Sequence, residues 1–159
     1  MTDKTPTTRP IEPTHQFVTF LVDDHSYGVD IKLVREIKQW SRTTALPNQP
    51  RHTRGVLNLR GTIVPVQDLR IRFGGALTEA TENHVVVIVW IGSKTVGILV
   101  DAVSDIISVL PEEIRPVPSG QSVGDMSMLS GLVHAETGMV AILDLNSLFP
   151  VETVRPEVA

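Results

Sequence analysis

The chain carries the same pattern twice, and that repeat limits its fold more than any other feature. Moving Gly55-Val-Leu…Asp68-Leu69…Phe73 forward by 76 positions lays it on Gly131-Leu-Val…Asp144-Leu145…Phe149, two 19-residue segments with glycine first and phenylalanine last. A shift of 69 lays Tyr27-Gly28, Val34 and Glu36-Ile37 on Val96-Gly97, Val103 and Asp105-Ile106. The seven-residue difference falls in Pro116–Ser130, rich in Ser, Gly and Met, which reads as a long loop. An ordered series of matching glycine, acid, aliphatic and phenylalanine positions means two homologous units, about 15–83 and 84–149. Units this small bury little surface alone, so the pair is expected to share an apolar seam. Val85–Ile91 and Ile98–Val100 are apolar at consecutive positions, which requires burial on both faces of a strand, so they are the expected seam.

Composition sets the class of those units. The chain has 22 valine, 12 isoleucine and 15 threonine against only 7 alanine. β-branched side chains lose χ1 freedom in helices and fit pleated surfaces. The chain is therefore expected to be all-β with short helical punctuation. Gln16–Val22 returns through Tyr27–Asp30 after a turn at Asp23–Ser26. Ile31–Ile37 fits one helical turn leading into a strand through Trp40. Gly55–Leu59 and Thr62–Val66 form a hairpin around Arg60-Gly61, and His84–Ile91, Thr95–Asp101 and Ala102–Val109 continue the second unit. Leu132–Ala135 pairs with Met139–Leu143. Asp68 and Asp144 each stand where an N-cap begins a short helix. Residues 1–14, with five threonines and three prolines, read as a disordered tail, and 150–159 as another.

Chemistry is harder to find. Without cysteine there is no disulfide scaffold, thiolate metal site or cysteine nucleophile. A net charge of −4 gives no electrostatic footprint for nucleic acid. The longest clean apolar run, Val85–Ile91, has seven residues, against the roughly 18–20 of a spanning helix. The N-terminus, Met-Thr-Asp-Lys-Thr-Pro-Thr-Thr, lacks an apolar signal core, so the cytoplasm is the expected compartment. None of the histidines at 15, 25, 52, 84 and 134 forms a His-x-x-x-His pair. Asp23-Asp24-His25-Ser26 holds triad-type residues, but consecutive turn positions do not converge on one reacting atom. Ser119–Gly124 lacks the lysine of a phosphate loop, and Glu112-Glu113 after Pro111 reads as a first helical turn. Met126 and Met128 fit either an adaptable contact surface or filling under a loop. No metal, cofactor or catalytic residue is expected.

One segment stands apart. Arg60 sits at a hairpin tip, and its counterpart 76 residues on is Glu136, so the tips diverged while the scaffold positions stayed alike. The segments Tyr27-Gly-Val-Asp-Ile-Lys-Leu-Val-Arg-Glu-Ile37, Gly55-Val-Leu-Asn-Leu-Arg-Gly-Thr-Ile-Val-Pro-Val-Gln-Asp-Leu-Arg70 and Val96-Gly-Ile-Leu-Val-Asp-Ala-Val-Ser-Asp-Ile106 resemble the bacterial chemotaxis coupling protein family, CheW. The resemblance runs from Gln16 to Phe149. It implies two SH3-like five-stranded β barrels side by side, with strand exchange at their ends allowed for. It also implies an adaptor without enzymatic activity that links chemoreceptor cytoplasmic hairpin tips to the regulatory domain of the histidine kinase CheA. Such a protein stays out of the membrane and is recruited to receptor arrays. A small-ligand sensor using the seam, or a scaffold of a non-motility pathway, is the alternative.

From the resemblance, Glu36 and Arg60 are expected to face each other near the receptor-binding surface. The receptor hairpin is expected along the seam, against Val34, Ile37, Val85, Val87, Val103 and Ile106. A helical hairpin presents aliphatic ridges that need an apolar groove with polar edges. For Val85 and Val87, plain core burial is the competing reading. The kinase is expected at the barrel ends, with Thr43, Thr44 and Leu57 as candidates.

Overall fold

The computed structural model describes residues 14–45, 47, 53–118, 128–136 and 138–149. The two expected tails apart from residue 14, Ser119–Gly124 and Met126 lie outside the described residues.

Among the described residues, the β-branched runs form ten strands. They are β1 His15–Val22, β2 His25–Asp30, β3 Val34–Gln39, β4 Thr53–Leu59, β5 Thr62–Asp68, β6 Val85–Ile91, β7 Lys94–Val100, β8 Ala102–Val109, β9 Leu129–Ala135 and β10 Gly138–Leu143. A one-turn helix follows β5 (α1, Leu69–Arg72) and another follows β10 (α2, Leu145–Leu148). The expected turn before β3 is a 3-10 turn at Ile31–Leu33, where the Asp30 carboxylate accepts the Lys32 N–H at 2.9 Å. Two-residue hairpin turns with left-handed backbone occur at Asp23-Asp24 and Arg60-Gly61, matching the twist of the strands they join.

The strands form two five-stranded sheets, in the orders β8-β1-β2-β10-β9 and β3-β6-β7-β5-β4. Among the described residues, each sheet closes on itself by one backbone bridge. Thr44, beyond β3, exchanges both hydrogen bonds with Val56 of β4 at 2.9 Å. Arg115, beyond β8, does the same with Leu132 of β9 at 2.8 and 2.9 Å. The result is two small SH3-like barrels. The glycine that opens each repeated segment is explained here. A Cβ on Gly55 would stand 2.5 Å from the Thr44 carbonyl oxygen, and one on Gly131 2.6 Å from Ile114 Cγ2. At Gly55 the closing strand's backbone leaves no room for a side chain, while at Gly131 the near neighbour is itself a side chain.

The repeat maps strand onto strand, but the sequence halves 15–83 and 84–149 are not the two barrels. Each half gives two strands to one barrel and three to the other. The second barrel is the continuous middle of the chain, β3–β7, and the first is assembled from β1–β2 and β8–β10. The exchange is reciprocal, well beyond the chain ends. Both parallel ladders, β2 with β10 and β5 with β7, join strands from different halves. Spacing along the sequence shows which strands are alike, but not which ones pair.

The described residues form three apolar clusters. Leu57, Leu59, Val64, Val66, Val86, Ile88 and Leu99 pack inside the second barrel, and Phe17, Val109, Val133, Val140 and Ile142 inside the first. The largest cluster lies between the barrels and includes Phe20, Val22, Leu69, Val87, Val89, Ile98, Leu145 and Leu148. Along β6, Val86 and Ile88 face the barrel while Val87 and Val89 face the seam, as a strand buried on both faces must. The seam is tied at its rim by Arg72, whose guanidinium donates to the Leu148 carbonyl at 3.0 and 3.1 Å.

Candidate functional site

The mouth of the second barrel is built from β3 and the β4–β5 tip. An extra residue in β3, Arg35, makes a bulge between Val34 and Glu36 and sets Glu36 opposite Ile88. Arg35 itself lies over the Trp90 ring, 4.8 Å from its centroid. Across the mouth, Arg60 takes φ +46° and Gly61 φ +91°, and the Asn58 side-chain oxygen accepts the Gly61 N–H at 2.7 Å. The turn is thereby fixed. Arg60 pairs with Glu36 through both guanidinium Nη atoms, and its Nη1 lies 3.5 Å from Oε1. The Arg60 side chain nevertheless stays 66% exposed. Its guanidinium is positioned, yet open to a partner.

The hydrogen bond from Arg60 holds the Glu36 carboxyl below its ordinary value, and the nearby positive charges of Arg60, Lys38 and Arg35 act in the same direction. A carboxylate with a lowered pKa keeps its pairing above the unfolded-state value and loses it as pH falls through the lowered one. A carbon-detected NMR titration should therefore find Glu36 titrating below 4.5, the ordinary value, and moving up in Arg60→Ala. An unmoved titration in the variant would remove Arg60 as the cause.

The remaining candidates separate by burial. Ile37 and Ile106, equivalent under the 69-residue shift, are 44% and 51% exposed on the edge strands β3 and β8. Val34, Val85 and Val103 are half-buried and pack against the seam cluster, so they form its margin. Val87 is fully buried inside that cluster and presents nothing to a partner, so it is core. Leu57 is corrected for the same reason, as part of the second barrel's interior. Thr43 is half-buried, with its hydroxyl donating to the Arg54 carbonyl at 3.1 Å, while Thr44 is exposed and closes the barrel through its backbone.

Sequence reasoning missed a polar network beneath this barrel. The Asp68 carboxylate is fully buried and accepts four hydrogen bonds: Thr78 N–H at 2.9 Å, Thr78 hydroxyl at 2.8 Å, Arg70 N–H at 3.1 Å and Arg54 Nη1 at 3.2 Å. It pins the segment between α1 and β6, whose Ala80 packs with Trp40 against the barrel core. The only signal in the sequence was the N-cap position of Asp68.

Residues 16–152 match the model of the CheW-like domain. The chain belongs to the CheW-like family. It is 38% identical to the chemotaxis protein CheW of Rhizobium meliloti, over 86% of this chain and 88% of that one. With the chemotaxis protein CheW of Klebsiella aerogenes the identity is 37%, over 86% and 82%. Among solved structures, the scaffolding protein TtCheW from Thermoanaerobacter tengcongensis superposes with a TM-score of 0.80 at 31% identity, covering 88% of this chain and 95% of that one. Glu36, Arg60 and the two barrels thus lie within the CheW-like domain. No helix among the described residues is long and apolar enough to cross a membrane.

Proposed function

We propose that this CheW-type chemotaxis scaffold is a non-enzymatic adaptor that couples chemoreceptor cytoplasmic hairpin tips to the regulatory domain of the histidine kinase CheA. The observation that carries the reading is Arg60: an arginine clamped in a left-handed turn, paired with Glu36, and still open to solvent. A residue fixed this firmly at a surface supports binding better than it supports folding, because exposed ion pairs add little stability. The receptor hairpin lies against Ile37 and Ile106, with Val34, Val85 and Val103 as the margin and Glu36–Arg60 as the polar edge. The kinase is held at the barrel ends, where Thr43 and Thr44 remain candidates, and recruitment from the cytoplasm to receptor arrays follows from both contacts.

The direct test is Arg60→Ala. Its melting temperature should stay within about 2 °C of the parent, while affinity for a receptor hairpin fragment falls about tenfold or more. A steep loss of stability with binding intact would reverse the assignment. A competition titration with the receptor fragment, the kinase regulatory domain and this protein checks the separation of the two sites. All three should form one complex, and mutual exclusion would show overlapping sites.

A further inference from the structure

We propose that the mouth of the first barrel is a docking site for an arginine presented on a β-hairpin tip of a protein partner, received between Asp105 and Glu136. The argument comes from the repeat. In the second barrel the bulge at Arg35 sets Glu36, and Arg60 on the opposite tip reaches across to it. The first barrel has the same parts. Its β8 strand carries an extra residue at Ser104, which sets Asp105 opposite Thr19 just as Glu36 is set opposite Ile88. Asp105 is the equivalent of Glu36 under the 69-residue shift, and Glu136 is the equivalent of Arg60 under the 76-residue shift. Where one mouth holds an acid and a base, the other holds two acids.

Asp105 and Glu136 line one cavity of about 750 Å³. Asp24 and Glu113 line it too, and among the described residues His134 is its other titratable group and no lysine or arginine lines it. Among the described residues no ion pair involves any of these four acids. The floor is apolar, with Ile107, Val133 and Val140. An apolar floor under an anionic rim suits a side chain with an aliphatic stem and a cationic head. Arginine fits better than lysine, because the equivalent mouth already pairs a guanidinium with a carboxylate through two nitrogens. The tip environments match as well. Ile63 beside Arg60 is 60% exposed, and its equivalent Met139 near Glu136 is 53% exposed. Like charges around one mouth repel, and an incoming cation relieves that repulsion. The inference needs only the geometry of the two barrels and does not depend on which molecules the protein couples.

The probe is taken from this chain: a cyclised peptide carrying Asn58-Leu59-Arg60-Gly61-Thr62-Ile63, added to the isotope-labelled full-length protein. Saturable amide shifts are expected at Thr19, Ile107, Ala135 and Val140. The same peptide with alanine for Arg60 should bind about tenfold or more weakly. Glu136→Arg should abolish the shifts while its own spectrum stays dispersed, since the new guanidinium occupies the mouth. If that variant fails to fold, the pair Asp105→Asn and Glu136→Gln serves the same purpose. Absence of shifts at millimolar peptide, equal binding by both peptides, or binding unchanged in the folded variants would each overturn the proposal.

Discussion

Replacing Asp68 with alanine should destabilise the protein by about 3 kcal/mol or more, read as a fall in the urea midpoint. The carboxylate is fully buried and holds α1, Thr78 and Arg54 at once. Removing it leaves the Thr78 amide and hydroxyl without their acceptor. Arg54 loses its carboxylate partner while still lying over Trp40, 5.5 Å from the ring centroid. A largely buried cation left with only the neutral Thr78 carbonyl and the Trp40 face is the costly outcome. The repeat supplies the control. Asp144 caps α2 from the equivalent position, but it makes no side-chain cap bond, and among the described residues its carboxylate accepts only the Ser147 hydroxyl, at 3.0 Å. Asp144→Ala should cost under about 1 kcal/mol. Equal losses at both positions would mean that the network around Asp68 contributes nothing beyond an ordinary cap.

Gly55→Ala should be comparably severe, at about 2–4 kcal/mol. Two effects add at this position. Its φ of +135° is disfavoured for any side chain, and the new Cβ would press on backbone, the Thr44 carbonyl at 2.5 Å. Backbone cannot step aside without breaking the bridge that closes the second barrel. Gly131→Ala meets the Ile114 side chain at 2.6 Å, which can turn away, and Gly131 is not among the residues with positive φ. Hydrogen exchange at Val56 should accelerate strongly in Gly55→Ala, and exchange at Leu132 only slightly in Gly131→Ala. The reverse order would place the strain in the wrong barrel.

The repeat in the sequence carried the strands, the hairpins, the two capping aspartates and the seam. It did so because those features follow from local spacing: period two along strands, glycine where two backbones meet, an acid before a helical turn. Pairing between distant strands has no such local mark, and so the reciprocal exchange and its two parallel ladders became visible only in three dimensions. Val87 shows the same limit on a smaller scale. An unbroken apolar run announces burial on both faces, but it does not distinguish a covered face from a groove. Glu36 and Arg60 were legible from the motifs around them, whereas the bulge at Arg35 depends on how β3 pairs with β6. The contrast between the two mouths was within reach of the sequence. The shifts of 69 and 76 that carry Glu36 and Arg60 to Asp105 and Glu136 turn an ion pair into two acids.

The exchange of strands also dictates an order of events during synthesis. Every strand of the second barrel has been made once Val100 is joined, so that barrel can close before β9 and β10 of the first emerge from the ribosome. The first barrel has to wait for Leu143, because β2 pairs with β10 across more than a hundred residues. Until then β1 and β2 exist as a hairpin without most of its partners, with Phe17, Phe20 and Val22 in need of cover. Non-local pairing is slow because loop closure precedes its reward. The finished second barrel shortens that search by supplying, through Ile98 and Val87, the apolar wall on which Phe20 and Val22 come to rest. The middle of the chain is thus a template for its two ends, and the half that closes last is the one whose mouth remains open.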